Sequence, residues 1–202
     1  MKNLLLVVLA ITLGSTVGAQ GVFSLGPKIG FNSNTITGNL ESVNASIKNS
    51  LQIGAFVRAG SKVYFQPEIN YQVVKGTLNQ GSGSAFQSQD YTLKSIKVPA
   101  LIGFKLFKTG IFNIRAMAGP AFTYFMDKKV DASIADNLWP IQSADDLKNS
   151  TWSVQMGAGF DVLFMTLDVR YEIGVNNMYD GSSSGFEMKN NIFNVSLGVK
   201  LL

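Results

Sequence analysis

From Gly21 onward the chain alternates apolar and polar residues with a period of two, the signature of strands that differ between their two faces. The first segment carries Phe23, Leu25, Pro27, Ile29 and Phe31 on one face and Ser24, Gly26, Lys28, Gly30 and Asn32 on the other. The second sets Leu51, Ile53, Ala55 and Val57 against Gln52, Gly54, Phe56 and Arg58. In the third, Val63, Phe65, Ile69, Tyr71 and Val73 oppose Gln66, Glu68, Asn70 and Gln72, and in the fourth Ile96 to Leu106 alternate with Lys97, Gly103 and Lys105. Phe112, Ile114, Ala116, Ala118, Phe122 and Tyr124 face away from Asn113, Arg115, Gly119 and Thr123 in the fifth. The sixth opposes Trp152, Val154, Met156, Phe160 and Val162 to Ser153, Gln155, Gly157, Gly159 and Asp161. Leu167, Val169, Tyr171 and Ile173 against Asp168, Arg170, Glu172 and Gly174 make the seventh. Phe193, Val195, Leu197, Val199 and Leu201 against Asn194, Ser196, Gly198 and Lys200 make the eighth.

Connection lengths also alternate. Polar stretches at 34–49, 76–90, 127–150 and 179–190 follow the odd segments, while turns near Gly60-Ser61-Lys62, Lys108-Thr109-Gly110 and Phe164-Met165 follow the even ones. Long loops on one side and tight turns on the other mark an outer-membrane barrel, and an even strand count puts both termini on the short-turn, periplasmic side. The expected fold is all-β: an eight-stranded antiparallel up-and-down transmembrane barrel.

Period two does not by itself say which face is inside, because a lipocalin-like barrel would enclose its apolar face around a ligand. Three features favour lipid outside. Within the strands the apolar face carries only Lys75 and Lys94 as charges, both at loop-side ends where a long stem reaches water. The other face mixes charge with glycine, which weakens a solvated strand but makes room inside a narrow lumen. Tyr91, Tyr124, Trp152 and Tyr179 fall at the long-loop ends, where an aromatic girdle belongs. Against a closed barrel stand Pro27, Pro67, Pro99 and Pro120, each without an N–H for the ladder; bulges near them would accommodate the loss. The sixth turn has no Gly, Asn or Asp, so its register is open.

The first residues set the compartment. Lys2 precedes an apolar run at 4–13 and small residues ending Val17-Gly18-Ala19, the order of a secretory signal cleaved after Ala19. The run is too short for the roughly 20 apolar residues of a spanning helix. The expected division is a signal peptide at 1–19 and one barrel domain at 20–202.

Composition narrows the function classes. With 46% hydrophobic and 15% charged residues, the chain suits a protein that shows lipid on every second strand position. It holds no Cys and no His, which removes thiolate sites, disulfides, the commonest general base and a common metal ligand. No catalytic residue, cofactor site or metal site is expected, and a lipid-modifying barrel enzyme would need unusual chemistry. The formal charge of +4 assigns to the lumen rather than to a surface patch, so no nucleic-acid partner is expected.

The candidate constellation is that lumen: Lys28, Arg58, Lys97, Lys105, Arg115, Arg170 and Lys200 with Glu68, Asp161, Asp168 and Glu172. Ions away from bulk water must pair, so a salt-bridge network filling the barrel is expected, with Arg170 laddered between Asp168 and Glu172. The alternative is a narrow anion-preferring channel, since seven basic residues face four acidic ones. In the longest loop, 127–150, Trp139 beside Pro140 is the candidate partner contact.

The mature chain resembles the small outer-membrane β-barrel family abundant in the Bacteroidetes lineage, including the PorT-like proteins. The resemblance rests on Gly26-Pro27-Lys28-Ile29-Gly30-Phe31-Asn32, Gln66-Pro67-Glu68-Ile69-Asn70-Tyr71, Ile96-Lys97-Val98-Pro99-Ala100-Leu101, Ala118-Gly119-Pro120, Gly157-Ala158-Gly159 and Arg170-Tyr171-Glu172-Ile173-Gly174, in order along the chain. It implies outer-membrane location, tolerance of proline at 67 and 99, contact with membrane lipid and the barrel assembly machinery, and an envelope or secretion-complex partner. It supplies no shared activity. The chain departs from the family in ending on Leu201-Leu202 rather than an aromatic residue. A non-catalytic scaffold or partner-binding barrel is the expected function.

Overall fold

The computed structural model describes residues 23–38, 43–47, 50–80, 87–130, 148–176 and 188–201; the signal-like segment 1–19, Trp139 and Tyr179 lie outside them. The strands are β1 (Phe23–Gly38), β2 (Val43–Ile47), β3 (Ser50–Gly60), β4 (Val63–Gln80), β5 (Gln87–Lys108), β6 (Phe112–Val130), β7 (Ser150–Val162), β8 (Met165–Gly174) and β9 (Met188–Val199). Eight of them, β1 and β3 to β9, pair in an antiparallel ring that closes through β1–β9 on one side and β4–β5 on the other. The expected barrel is what forms.

Its polarity is also as expected. Ile29, Phe31, Ile53, Phe65, Ile69, Ile102, Trp152 and Leu197 are exposed on the outer wall, while their neighbours Lys28, Gln52, Glu68, Asn70, Ser153 and Ser196 are buried. An apolar exterior around a polar interior is stable only when hydrocarbon, not water, surrounds the wall. No helix among the described residues is long and apolar enough to cross a membrane. At the loop end, Tyr124 and Trp152 stand exposed, and Trp152 packs at 5.0 Å from Phe122 between ring centres.

The connections differ from expectation. The stretch 34–49 contains the end of β1 and all of β2, which pairs with the top of β4 from Val43↔Gln80 to Ile47↔Gly76. The β4–β5 hairpin likewise continues to Gln80↔Gln87, and β6 runs on to Val130. Apolar residues are sparse in the sequence of the outer ends of β1, β4, β5 and β6. Alternation reports a one-sided environment, so it vanishes where a strand leaves the membrane even though the backbone ladder goes on.

The prolines do not use bulges. Register runs unshifted through Pro67↔Ala100 to Asn70↔Lys97 and through Pro99↔Ala121 to Ile102↔Ala118, losing only the pairings between. Three prolines on adjacent strands thus thin the ladder at one level without slipping it. The β5–β6 register shifts elsewhere, at Lys94/Ser95 and Lys105/Phe107. At the first shift Met126 is the extra residue, and it brings Asp127 opposite Lys94 on the outer face, where the two pair at 3.0 Å. A charge on the apolar wall is thereby neutralised where it meets water.

The turns on the other end are short. Gly60 closes β3–β4 with φ at 128°, a conformation that favours glycine. Thr109 holds the β5–β6 turn, its Oγ1 accepting from the Phe112 N–H at 3.1 Å. The open sixth turn is Leu163-Phe164, with Leu163 at φ 52°. Leu163 N donates to Ile111 O at 2.9 Å, so this turn is stitched to the neighbouring one. Leu201 N reaches Leu25 O at 2.8 Å, which joins the two ends of the barrel here.

Candidate functional site

Inward-facing positions of eight strands meet in a lumen too narrow to leave most of its polar groups in water. Their pairing therefore decides whether the barrel is stable and whether anything passes. Nearest the loops, Asn194 Nδ2 donates to Asn32 Oδ1 at 2.5 Å, and Asn32 Nδ2 donates to Gln52 and Gln72 at 3.3 and 3.4 Å. Below this amide layer Lys97 grips both oxygens of Glu172, at 2.9 and 2.7 Å, and Ser153 and Gln155 donate to the same carboxylate.

Glu68 is the hub. It is 4% exposed and accepts from Lys28 Nζ at 2.8 Å, from Arg170 at 2.9 and 2.6 Å, from Gln66 at 2.7 Å and from Asn70 at 3.1 Å. The two-pronged Arg170 contact fixes direction as well as charge. Arg170 also reaches Asp168 at 2.5 Å, and Asp168 accepts from Arg115 at 2.7 Å. Arg115, 0% exposed, further donates to Thr166 at 2.7 Å and to the Tyr64 hydroxyl at 3.0 Å. Nearest the turns, Asp161 takes Arg58 at 3.1 Å and Arg115 at 3.0 Å, with Lys200 at 3.9 Å.

Glycine makes this packing possible. Tyr64 and Gly103 are direct partners across β4–β5, and a Cβ on Gly103 would lie 2.0 Å from the Tyr64 ring. At Gly159 a Cβ would lie 2.4 Å from Arg115 Nη2 and 2.6 Å from Asp168 Oδ1. The ring held over Gly103 in turn faces two guanidinium groups, Arg58 at 5.3 Å and Arg115 at 5.7 Å from its centre. Gly103 and Gly159 are thus the sockets for Tyr64 and Arg115.

All eleven charged residues expected in the lumen are there, and ten of them join ion pairs; Lys105 is half-buried with none within 4 Å among the described residues. The expected ladder on β8 is corrected in one respect. Arg170 bonds Asp168 but reaches across the lumen to Glu68, and Glu172 belongs to Lys97 instead. A neighbour two residues along a strand competes with groups pointing in from the far wall, and here the far wall won. Tyr64, Asn32, Thr166 and Gln155 were not singled out from sequence, although their even spacing with the charged residues placed them on the same face. Among the described residues no group of three or more acidic side chains is placed to hold a metal ion.

Residues 18–180 match a family model described as an outer membrane protein beta-barrel domain. Among solved structures the chain is similar to Ail, the attachment invasion locus protein of Yersinia pestis, determined with the heparin analogue sucrose octasulfate. That match is 13% identical with a TM-score of 0.44 and covers 89% of this chain and 99% of Ail. The translocator domain of the autotransporter NalP from Neisseria meningitidis is 12% identical, with a TM-score of 0.36 over 94% of this chain and 92% of that domain. No curated protein matches the chain.

Proposed function

The chain belongs to the outer membrane protein beta-barrel domain family, and we propose that it works there as a sealed, non-catalytic scaffold that presents its strand extensions and loops to partner proteins. The observation that carries this reading is the filled lumen. Side chains from Tyr64 to Asn70 on β4 are buried wherever they face inward; Glu68 is tied across the lumen to Arg170 on β8, and Tyr64 to Arg115 on β6. A solute path would have to break several charge-assisted bonds at once, each held in low dielectric. What remains free to act is the surface beyond the membrane, where β2, β4 and β5 form a sheet above the barrel.

Export and orientation belong to the same proposal. Residues 1–19 act as the cleaved signal, the mature barrel is 20–202, and both ends face the periplasm. In support, the Leu25–Leu201 junction lies at the end of the short turns, and the strand extensions lie at the other. A PorT-like affiliation, with an envelope or secretion complex as partner, is supported by the quoted sequence motifs. The channel reading predicts the opposite behaviour in one assay. In planar bilayers the purified barrel is expected to show no steady conductance; reproducible ion current through the wild type would sink the sealed-scaffold reading. A pull-down from native membranes then identifies the partner.

A further inference from the structure

Charge is unevenly shared along the lumen. Toward the loops Lys97 is matched by Glu172, and Lys28 and Arg170 are matched by Glu68 and Asp168. Toward the turns three cations, Arg58, Arg115 and Lys200, gather around a single carboxylate, Asp161, and a fourth, Lys105, stands beside Arg115 on the neighbouring strand. Arg115 also leans on Asp168, but that group already serves Arg170. The positive excess of the lumen therefore sits in one layer, at its turn-side mouth.

Three independent details mark this layer as unfinished. Lys105 stands directly across the β5–β6 ladder from Arg115, a like-charge pairing that costs stability unless something neutralises it. Arg58 is only 3% exposed, yet its Nη2 has no hydrogen-bond partner. A buried guanidinium N–H with no acceptor is expensive. Arg170 Nε also lacks one, but Arg170 sits among matched charges, whereas Arg58 shares its one carboxylate, Asp161, with other cations. Lys200 reaches no closer than 3.9 Å to Asp161 and is half-buried, as is Lys105, so their ammonium groups border solvent while Arg58 lies deeper.

We propose that this mouth binds a phosphate group, either free inorganic phosphate or the phosphate of a lipid headgroup. Several unmatched cations call for more than one negative charge and more than two acceptor oxygens, and a guanidinium fork suits phosphate oxygens. Both sources are within reach. The mouth opens toward water, and around it Val162, Leu163, Phe164 and Leu201 expose apolar side chains at the level where acyl chains give way to headgroups. This site is independent of the scaffold reading and survives its failure.

The test uses the full barrel in neutral detergent, titrated with inorganic phosphate against chloride at matched ionic strength. A saturable rise in thermal midpoint is expected with phosphate alone. The Lys105→Gln/Lys200→Gln variant is expected to weaken it by roughly tenfold or more, the scale of losing two charge-assisted contacts. Lys62→Gln, which alters a lysine over the outer Phe104 ring, should leave it unchanged. Nanodiscs containing phosphatidic acid separate the two sources. If the headgroup is the natural occupant, wild type retains the lipid in native mass spectrometry and no longer responds to phosphate. If free phosphate is, the response persists in the discs. A wild type that cannot tell phosphate from chloride, or a double variant that responds as wild type does, overturns the proposal.

Discussion

Glu68→Ala lowers the stability of the folded barrel by about 3–5 kcal/mol, the range for stripping one partner from a buried ion pair. Glu68 lies at the centre of the lumen and accepts five hydrogen bonds, three of them from the cations Lys28 and Arg170. Alanine removes the acceptor but leaves both charges where water cannot easily follow. Asp168 can compensate Arg170 in part, since the two are already bonded, whereas Lys28 pairs with no other carboxylate within 4 Å among the described residues. Lys28→Met combined with Glu68→Ala removes one of the stranded cations, so the double variant is expected to recover part of the loss. Urea unfolding in lipid measures both. Equal resistance of Glu68→Ala and wild type would mean that the network contributes nothing to holding the strands together.

Gly103→Leu is the second large effect, with an expected loss of about 2–3 kcal/mol or failure to fold, as for an overpacked core. The cause is steric rather than electrostatic. Tyr64 is 2% exposed, and its ring fills the space that any side chain at 103 would claim. Because Tyr64 and Gly103 face each other across the β4–β5 ladder, the volume can be moved from one strand to the other. Tyr64→Ala should therefore rescue much of the damage from Gly103→Leu. The rescue stays incomplete, because Arg115 loses its bond to the Tyr64 hydroxyl. Heat-modifiable gel migration reads folding in all three variants. If the double variant folds no better than Gly103→Leu alone, the glycine serves something other than room for the ring.

These two residues show what could be read from the chain and what could not. The assignment of Glu68 and Gly103 to the lumen followed from parity alone, because in a strand the residues at i and i+2 share a face. Parity also placed Lys28, Arg115 and Asp161 there, and on β9 it separated Phe193 and Val195 from Asn194 and Ser196. Partner choice is a different matter. Arg170 and Glu68 are 102 residues apart and meet only because the sheet closes, and the width of the closed lumen decides who reaches whom. From the chain alone Glu172 looked nearer to Arg170, yet Lys97 takes it.

Two other features stayed hidden for local reasons. β2, Val43-Asn44-Ala45-Ser46-Ile47, alternates over only five residues inside an otherwise polar stretch, too short a run to stand out, and it pairs with the top of β4. The extra residue at Met126 leaves no mark in composition, but it rephases β6 so that Asp127 meets Lys94. Bulges were expected at the prolines because a closed ring has no free edge. The ring tolerates them instead by omitting pairings at Glu68–Ile69 and at Ala100–Leu101 while the strands beyond hold the register.

The absence of cysteine in the chain permits a direct look at which side of the wall faces hydrocarbon. Single cysteines at positions 192 to 197 of β9, spin-labelled in liposomes, avoid every charged residue of the lumen. Oxygen dissolved in the acyl chains should collide often with labels at 193, 195 and 197 and rarely with those at 192, 194 and 196. Equal collision rates along the strand, or a maximum on the Asn194 and Ser196 side, would contradict a barrel that wears its apolar residues against lipid.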